Sequence, residues 1–262
     1  MSIPSFADII APVSEDEFFS EYFDKAPLHV KGKPDKFAYL MSWQALNGIL
    51  DMTSIWSSLT LGLHLDGEFV KAARYCVSGP DRNDQQGMMP VTGKVHAFLA
   101  QGATLVCNKV DRLTPAMSSF AGILEETFEC KAQANLYCSW RERKAFDSHF
   151  DKHGVWAVQA EGSKRWLIYE GRMDHPIHHD HSETLDKDVH HQARGKVLMD
   201  IVMRPGDLLY IPHGQYHDAL AMSGGTIHVT FGTFPVIGMD LLTEAYEEAA
   251  EFSAFRAPFP RI

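Results

Sequence analysis

The string His-x-Asp occurs three times in this protein, as His64–Asp66, His149–Asp151 and His178–Asp180. On a β-strand alternate side chains point the same way, so the string offers an imidazole and a carboxylate to one side. Completed by one more histidine, that pair becomes a 2-His-1-carboxylate facial triad. Non-haem Fe(II) oxygenases use this set, which leaves open positions on the metal for substrates. The string alone is short, and its surroundings must separate a metal site from an ordinary polar surface.

His64 and Asp66 lie on the polar side of the alternating segment LTLGLHLDG, the pattern of any solvated strand. His178 and Asp180 lie in DHPIHHDHSETLDKDVHH, residues 174–191, which holds six of the fourteen histidines. That stretch is polar throughout and begins near a proline. It reads as a surface loop near the mouth of the core, able to capture stray metal but without the packed neighbours that fix catalytic ligands. His149 and Asp151, in SHFDKHG, are followed by GVWAVQAEGSKRWLIYEG, a strong hairpin with its turn at Glu161-Gly162. On its second strand Lys164, Trp166 and Ile168 share a face. Burying an ammonium without a partner is costly. Either its head reaches water at the strand end, or it meets an anionic ligand inside. A third metal ligand is available in PGDLLYIPHGQYHDAL. His213, between Pro212 and Gly214, reads as a turn tip, whereas His217 opens a strand and is the favoured ligand.

These residues need a scaffold, and the sequence supplies one in two styles. Up to about residue 130 helices and strands mix. Ser14 and Glu17 have capping-box spacing ahead of Phe18, Phe19, Tyr22 and Phe23. A second helix starts at Ser42, a third ends at Gly102, and Pro115 opens a fourth. From residue 131 short alternating segments follow one another between Gly, Pro and Asp, the pattern of a β-sandwich or barrel. The last of the segments is the acidic amphipathic MDLLTEAYEEAAEFSAF. The expected organisation is a mixed part over 1–130, an all-β core over 131–235, and a terminal helix with its tail over 236–262, forming one structural unit.

At 262 residues, 45% hydrophobic and 22% charged, the protein is able to bury a substantial core. Its formal charge of −10 disfavours phosphate backbones and anionic lipid, so neither nucleic acid nor membrane is an expected partner. A basic peptide or a small neutral substrate is compatible. The opening residues lack the pattern of a signal peptide, and no segment reaches membrane-spanning length. The cysteines at 76, 107, 130 and 138 form no Cys-x-x-Cys pair and read as reduced thiols, which implies the cytoplasm.

Taken together, GATLVCNKVDRLTPAMSSFAGILEETF, NLYCSW, SHFDKHGVWAVQAEGSKRWLIYEG, GDLLYIPHGQYHDAL and HVTFGTF resemble, in that order, the JmjC-type cupin-fold 2-oxoglutarate oxygenases. The likeness is greatest to the ribosomal-oxygenase branch, which hydroxylates side chains of ribosomal proteins; EDEFFSEYFDKAPLHVKG is similar to its entry segment. The resemblance implies a double-stranded β-helix (jelly-roll, cupin) core with a helical N-terminal region and a C-terminal helix. It implies Fe(II) on His149, Asp151 and His217, with 2-oxoglutarate and O2 as co-reactants. It also places Lys164 and Tyr137 on the distal carboxylate of 2-oxoglutarate, Thr230 in the cosubstrate pocket, and Asn135 near the join of cosubstrate and substrate. The implied reaction is hydroxylation of a C–H bond on a side group of a protein, peptide or peptide-like substrate. A free amino acid or other small metabolite, N-methyl demethylation, and a non-catalytic metal-binding cupin scaffold stay open. Ribosomal members of the branch carry a dimerisation region and a winged-helix domain after the core. Here residues 235–262 follow HVTFGTF, which leaves the ribosomal substrate and a homodimer undecided.

Overall fold

The computed structural model describes residues 4–52, 55–80, 84–140, 147–177, 187–222 and 224–259. In sequence order the helices and strands are α1 (Phe6–Ile10), α2 (Glu15–Glu17), a π-helical turn (Phe18–Tyr22), β1 (Leu28–Val30), α3 (Trp43–Asp51), β2 (Leu61–Leu65), β3 (Glu68–Phe69), a 3-10 turn (Ala72–Arg74), β4 (Cys76–Pro80), β5 (Gln86–Pro90), α4 (Thr92–Ala100), β6 (Thr104–Asn108), α5 (Pro115–Phe128) and β7 (Cys130–Ser139). There follow β8 (Gly154–Glu161), β9 (Lys164–Arg172), α6 (Lys187–Ala193), β10 (Val197–Met203), β11 (Leu208–Ile211), β12 (Gln215–Ala221), β13 (Thr226–Pro235), α7 (Gly238–Glu251) and α8 (Ser253–Arg256).

Two antiparallel sheets dominate. Eight strands run in the order β1-β11-β8-β13-β7-β6-β2-β3, and three in the order β10-β9-β12. Because strand side chains alternate, each residue pattern divides between two surfaces. From β8 and β11 of the large sheet, Val155, Ala157, Leu209 and Ile211 meet Trp166, Ile168 and Met203 of the small sheet in one buried cluster. Their alternates Trp156, Val158, Leu208 and Tyr210 point the other way, into a second core that includes Phe6 and Ile9 of α1, Leu46 of α3 and Phe120 and Leu124 of α5. The architecture is thus a double-stranded β-helix whose large sheet is covered outside by helices, as expected.

The N-terminal part is more than a cover, since β1, β2, β3 and β6 pair into the large sheet itself. Its helix starts follow the local chemistry. Thr114 accepts a bond from the Met117 N–H at 3.2 Å, with Pro115 in the first turn of α5. Ser42 caps α3 through the Ala45 N–H. At Ser14 only half of the expected capping box forms: the hydroxyl accepts from the Glu17 N–H. The expected helix there widens into the π-helical turn, where the Phe23 N–H reaches the Phe18 carbonyl at 2.8 Å. The wider turn brings Phe18, Phe19 and Phe23 together around Phe128, and Phe18 also packs on Phe6, Trp156 and Tyr210.

At the β8–β9 turn, Gly162 has φ +63, and a Cβ there would stand 2.0 Å from the Gly225 carbonyl oxygen. No helix among the described residues is long and apolar enough to cross a membrane.

Phe18 is fully buried at the centre of the aromatic cluster. Phe18→Ala should therefore lower unfolding free energy by about 3–5 kcal/mol. Urea titration should show a lower midpoint at unchanged slope; an unchanged midpoint would contradict the central place of Phe18 in this aromatic cluster.

Candidate metal centre

Three of the sequence candidates converge. One nitrogen each from His149 and His217 and one carboxylate oxygen of Asp151 lie within 4.8 Å of one another. His217 stands on β12, opposite Ile168 of β9. His149 lies outside any strand but forms an isolated antiparallel bridge with His217, N–H to carbonyl at 3.1 and 2.8 Å in the two directions. The two rings are 4.6 Å apart between centroids. Asp151 is held from the backbone by the Gly214 N–H, which donates to its carbonyl at 2.9 Å. Gly214 has φ +78, and a Cβ there would meet the Met173 carbonyl oxygen at 2.2 Å, so this approach requires glycine. His213 stays out of the cluster at the turn expected for it, with its Nε2 bonded to the Pro176 carbonyl.

The ring tautomers are set from behind. His149 Nδ1 lies 2.9 Å from the Asp147 carbonyl, and His217 Nδ1 lies 2.9 Å from the Gln215 carbonyl. A carbonyl can only accept, so Nδ1 carries hydrogen in both rings, which leaves Nε2 as the nitrogen of each ring that can bind a metal once it holds no proton. Burial presses the His149 pKa down. At His217 burial acts the same way, but the Asp151 hydrogen bond and charge outweigh it and raise the pKa. Burial works against the Asp151 carboxylate too, yet the neighbouring histidines hold it well below the usual range. His217 Nε2 and Asp151 Oδ2 are 3.4 Å apart. Adjacent donors bound at about 2.1 Å to one ion lie about 3 Å apart, so this pair needs only a small contraction to share a metal.

Behind the histidines stands a network with no sequence signature. Asp218 is buried and points away from His217's face of β12. It accepts from Ser148 Oγ at 3.1 Å and Tyr169 OH at 2.8 Å, while Arg194 donates to Ser148 Oγ and lies over the Tyr169 ring. These bonds tie the residue before His149 to the residue after His217.

The cosubstrate candidates form the other half of the same inner face. Lys164 is buried, opposite Ala221 of β12 and Met203 of β10. Among the described residues its ammonium has no carboxylate partner. Its polar neighbour is His228 Nδ1 at 3.4 Å, and the rings of Tyr137 and Trp166 lie 5.7 and 5.8 Å away. Burial pushes the Lys164 pKa down to about 7. Tyr137 is pushed up to about 12 by burial and by the charge of Asp151, against the lowering effect of its bond to Asn135. Asn135 and Thr230 are paired neighbours on β7 and β13. Asn135 also accepts from the Lys109 N–H at 3.2 Å, which directs it towards the loop after β6.

The remaining candidates fare differently. Asp66 is not on the strand with His64: it occupies the β2–β3 turn with φ +57, followed by Gly67. Asp-Gly is the residue pair such a tight hairpin turn favours. His178 and Asp180 lie outside the described residues. The end of the histidine-rich stretch is helical, not loop, because α6 carries Asp188 in its first turn and His190 and His191 in its last. His190 Nδ1 lies 2.8 Å from the Tyr216 hydroxyl. His228 is not among the sequence candidates, although alternation from Thr230 puts it on the inner face.

Comparison with known proteins bears on the fold and the family. The family model described as the JmjC domain matches residues 107–241. The bifunctional lysine-specific demethylase and histidyl-hydroxylase NO66 of Drosophila simulans is 27% identical over 229 residues, 86% of this chain and 25% of the relative. Ribosomal oxygenase 1 of Gallus gallus is 26% identical over 235 residues, 87% of this chain and 36% of the relative. The protein thus spans 25–36% of the length of these two curated relatives. Among solved structures, the Escherichia coli ribosomal oxygenase YcfD has TM-score 0.60 at 16% identity, covering 95% of this protein and 59% of its own length. Its complex with cobalt and 2-oxoglutarate has TM-score 0.59 at 17% identity, covering 95% and 61%. These identities speak for the fold. The family match covers residues 107–241, more than half of the sequence, and the protein belongs to the JmjC-domain family.

Proposed function

We propose that this protein is an Fe(II)- and 2-oxoglutarate-dependent oxygenase that hydroxylates a C–H bond on a side group of a protein or peptide. The observation that carries this reading is one inner face holding both a 2-His-1-carboxylate donor set and a buried lysine without an acid partner among the described residues. His149, Asp151 and His217 would hold the metal, and Lys164 and Tyr137 the distal carboxylate of 2-oxoglutarate. The donor set suits Fe(II), being two neutral imidazoles and one carboxylate with positions left open.

Bound together, iron, 2-oxoglutarate and O2 supply oxidative decarboxylation to succinate and CO2, coupled to C–H hydroxylation. The protein's residues position and shield. Lys164 is four residues along β9 from Ile168, the partner of His217, which separates the two ends by roughly 13 Å of strand. That spacing is on the scale of an elongated dianion held at both ends. With its raised pKa, Tyr137 keeps its phenolic proton and serves as a donor to an anion. Val155, Ala157, Ile168, Met203, Leu209 and Ile211 form a dry floor that excludes water. Thr230 and Asn135, at the rim of this face, fit the cosubstrate boundary.

The histidyl-hydroxylase and ribosomal-oxygenase names of the relatives support an amino-acid residue of a protein as substrate. The demethylase activity in the first name begins, chemically, with the same hydroxylation. A homodimer belongs to the same proposal. Met239, Leu242 and Tyr246 recur on one side of α7 and are exposed, the kind of surface that a second copy buries.

Three outcomes are expected. Purified protein with Fe(II), 2-oxoglutarate and O2 should form succinate, and His217→Ala should cut that by more than about 100-fold, since even residues behind metal ligands cost 10–100-fold. Normal turnover by the variant would remove His217 from the metal. Lys164 is faced by Tyr137 of β7 and His228 of β13, and Cys138 on the other face of β7 is the further titratable group that acts on it; none is an acid. A carboxylate ligand must therefore find or restore the ammonium. Below pH about 7 the lysine is already charged; above it, binding takes up a proton. The Kd for 2-oxoglutarate should rise by up to about tenfold per pH unit above 7 and lose that slope in Lys164→Met. A pH-independent Kd would contradict the anchor. Sedimentation should give twice the monomer mass, reverting to monomer in the Leu242→Glu/Tyr246→Glu double variant; a monomeric wild type would exclude the dimer.

A further inference from the structure

Lys164 needs explanation beyond its lack of an acid partner among the described residues. Its four-carbon stem is flexible, and an ammonium that anchors a ligand must be held at one point. The group that faces it is His228, on β13. This histidine is itself buried and fixed on three sides. Its ring stacks on Tyr137 at 4.7 Å and 10° between planes. It meets the Trp166 ring edge-on at 5.6 Å and 90°. Its Nδ1 is 3.4 Å from Lys164 Nζ. Burial and the neighbouring lysine both press the His228 pKa well below its ordinary value, so the ring is neutral and can accept a bond. A second feature lies between this group and the metal ligands. The Trp166 indole N–H, buried between the His217 and His228 rings, has no hydrogen-bond partner among the described residues. Buried donors without partners are rare in folded proteins.

We propose that His228 is the positioning residue for the anion anchor, its Nδ1 accepting from Lys164 and fixing the ammonium at the end of the inner face opposite the metal ligands. This rests on the reading of Lys164 as the cosubstrate anchor. It adds a residue of β13 to the distal-carboxylate anchor, which the resemblance put on Lys164 of β9 and Tyr137 of β7. His228 acts through the lysine: it sets where the distal carboxylate binds, and with it how far the dianion reaches towards His149, Asp151 and His217. Metal affinity is independent of it.

The test is the anaerobic Kd of 2-oxoglutarate for Co(II)-loaded protein, measured by calorimetry beside the Co(II) affinity. His228→Phe keeps a flat ring on Tyr137 and Trp166 but removes both nitrogens. It should weaken 2-oxoglutarate about tenfold, leave Co(II) binding unchanged, and raise KM with kcat retained. His228→Asn places an amide oxygen near the position of Nδ1 and should recover most of the affinity. His228→Gln carries its amide out towards Nε2 and should not. The Asn and Gln pair decides the matter even if the Phe variant fails to fold. Unchanged 2-oxoglutarate affinity in His228→Phe, equal loss of Co(II) and 2-oxoglutarate, or equal behaviour of Asn and Gln would each overturn the proposal. Lys164→Met in the same assay separates the two readings. If it loses affinity while His228→Phe does not, only the role of His228 fails. If it binds like the wild type, the anchor itself is misplaced.

Discussion

Two backbone hydrogen bonds between His149 and His217 are the constraint on which the site depends. They join a segment outside any strand to β12 of the small sheet, and so fix the two imidazoles relative to each other before any metal arrives. Facing residues of an antiparallel bridge point the same way, so one register places both rings on the inner surface. The network of Ser148, Asp218, Tyr169 and Arg194 reinforces that bridge from behind, with its acid on the strand face opposite His217. A shift of one residue would exchange His217 for Asp218 on the inner face and turn the cavity inside out.

The same inner surface has two chemical halves. Its middle is apolar, from Val155 to Ile211, and its ends are polar, with the donor set at one and Lys164 at the other. Burying an ammonium with only a neutral imidazole and aromatic rings about it is unfavourable, and burial accordingly presses the pKa of Lys164 towards neutrality. Such a group is stabilised by the arrival of an anion. The fold thus holds in place a preference that a dicarboxylate satisfies, and the helices outside the large sheet cover its other face.

Much of this was legible in the sequence, for identifiable reasons. Strict alternation in GVWAVQAEG and KRWLIYEG made the hairpin and the inward face of Lys164 readable, and turn chemistry around Pro212 and Gly214 separated His213 from His217. Alternation also gave the helical and β portions, because local patterns record which side of an element is dry. What escaped depends on contacts between distant segments. The pairing of β1, β2, β3 and β6 into the large sheet is one such case, and the Asp218 network is another. Ser14 and Glu17 suggested a plain capped helix, whereas packing on Phe128 and Trp156 favours the wider π turn. His228 was readable in principle, two residues from Thr230, but a lone histidine between apolar neighbours looks like core until its lysine partner is known.

In the proposed function the two polar ends act together on one metal and one dicarboxylate. Adding Fe(II) and then 2-oxoglutarate to the protein without oxygen tests that most directly. A visible charge-transfer absorption that develops only when both are present, and saturates at one equivalent of each, is the predicted result. Absence of that band, despite a folded protein and bound Fe(II), would contradict the claim and leave a metal-binding cupin without a cosubstrate.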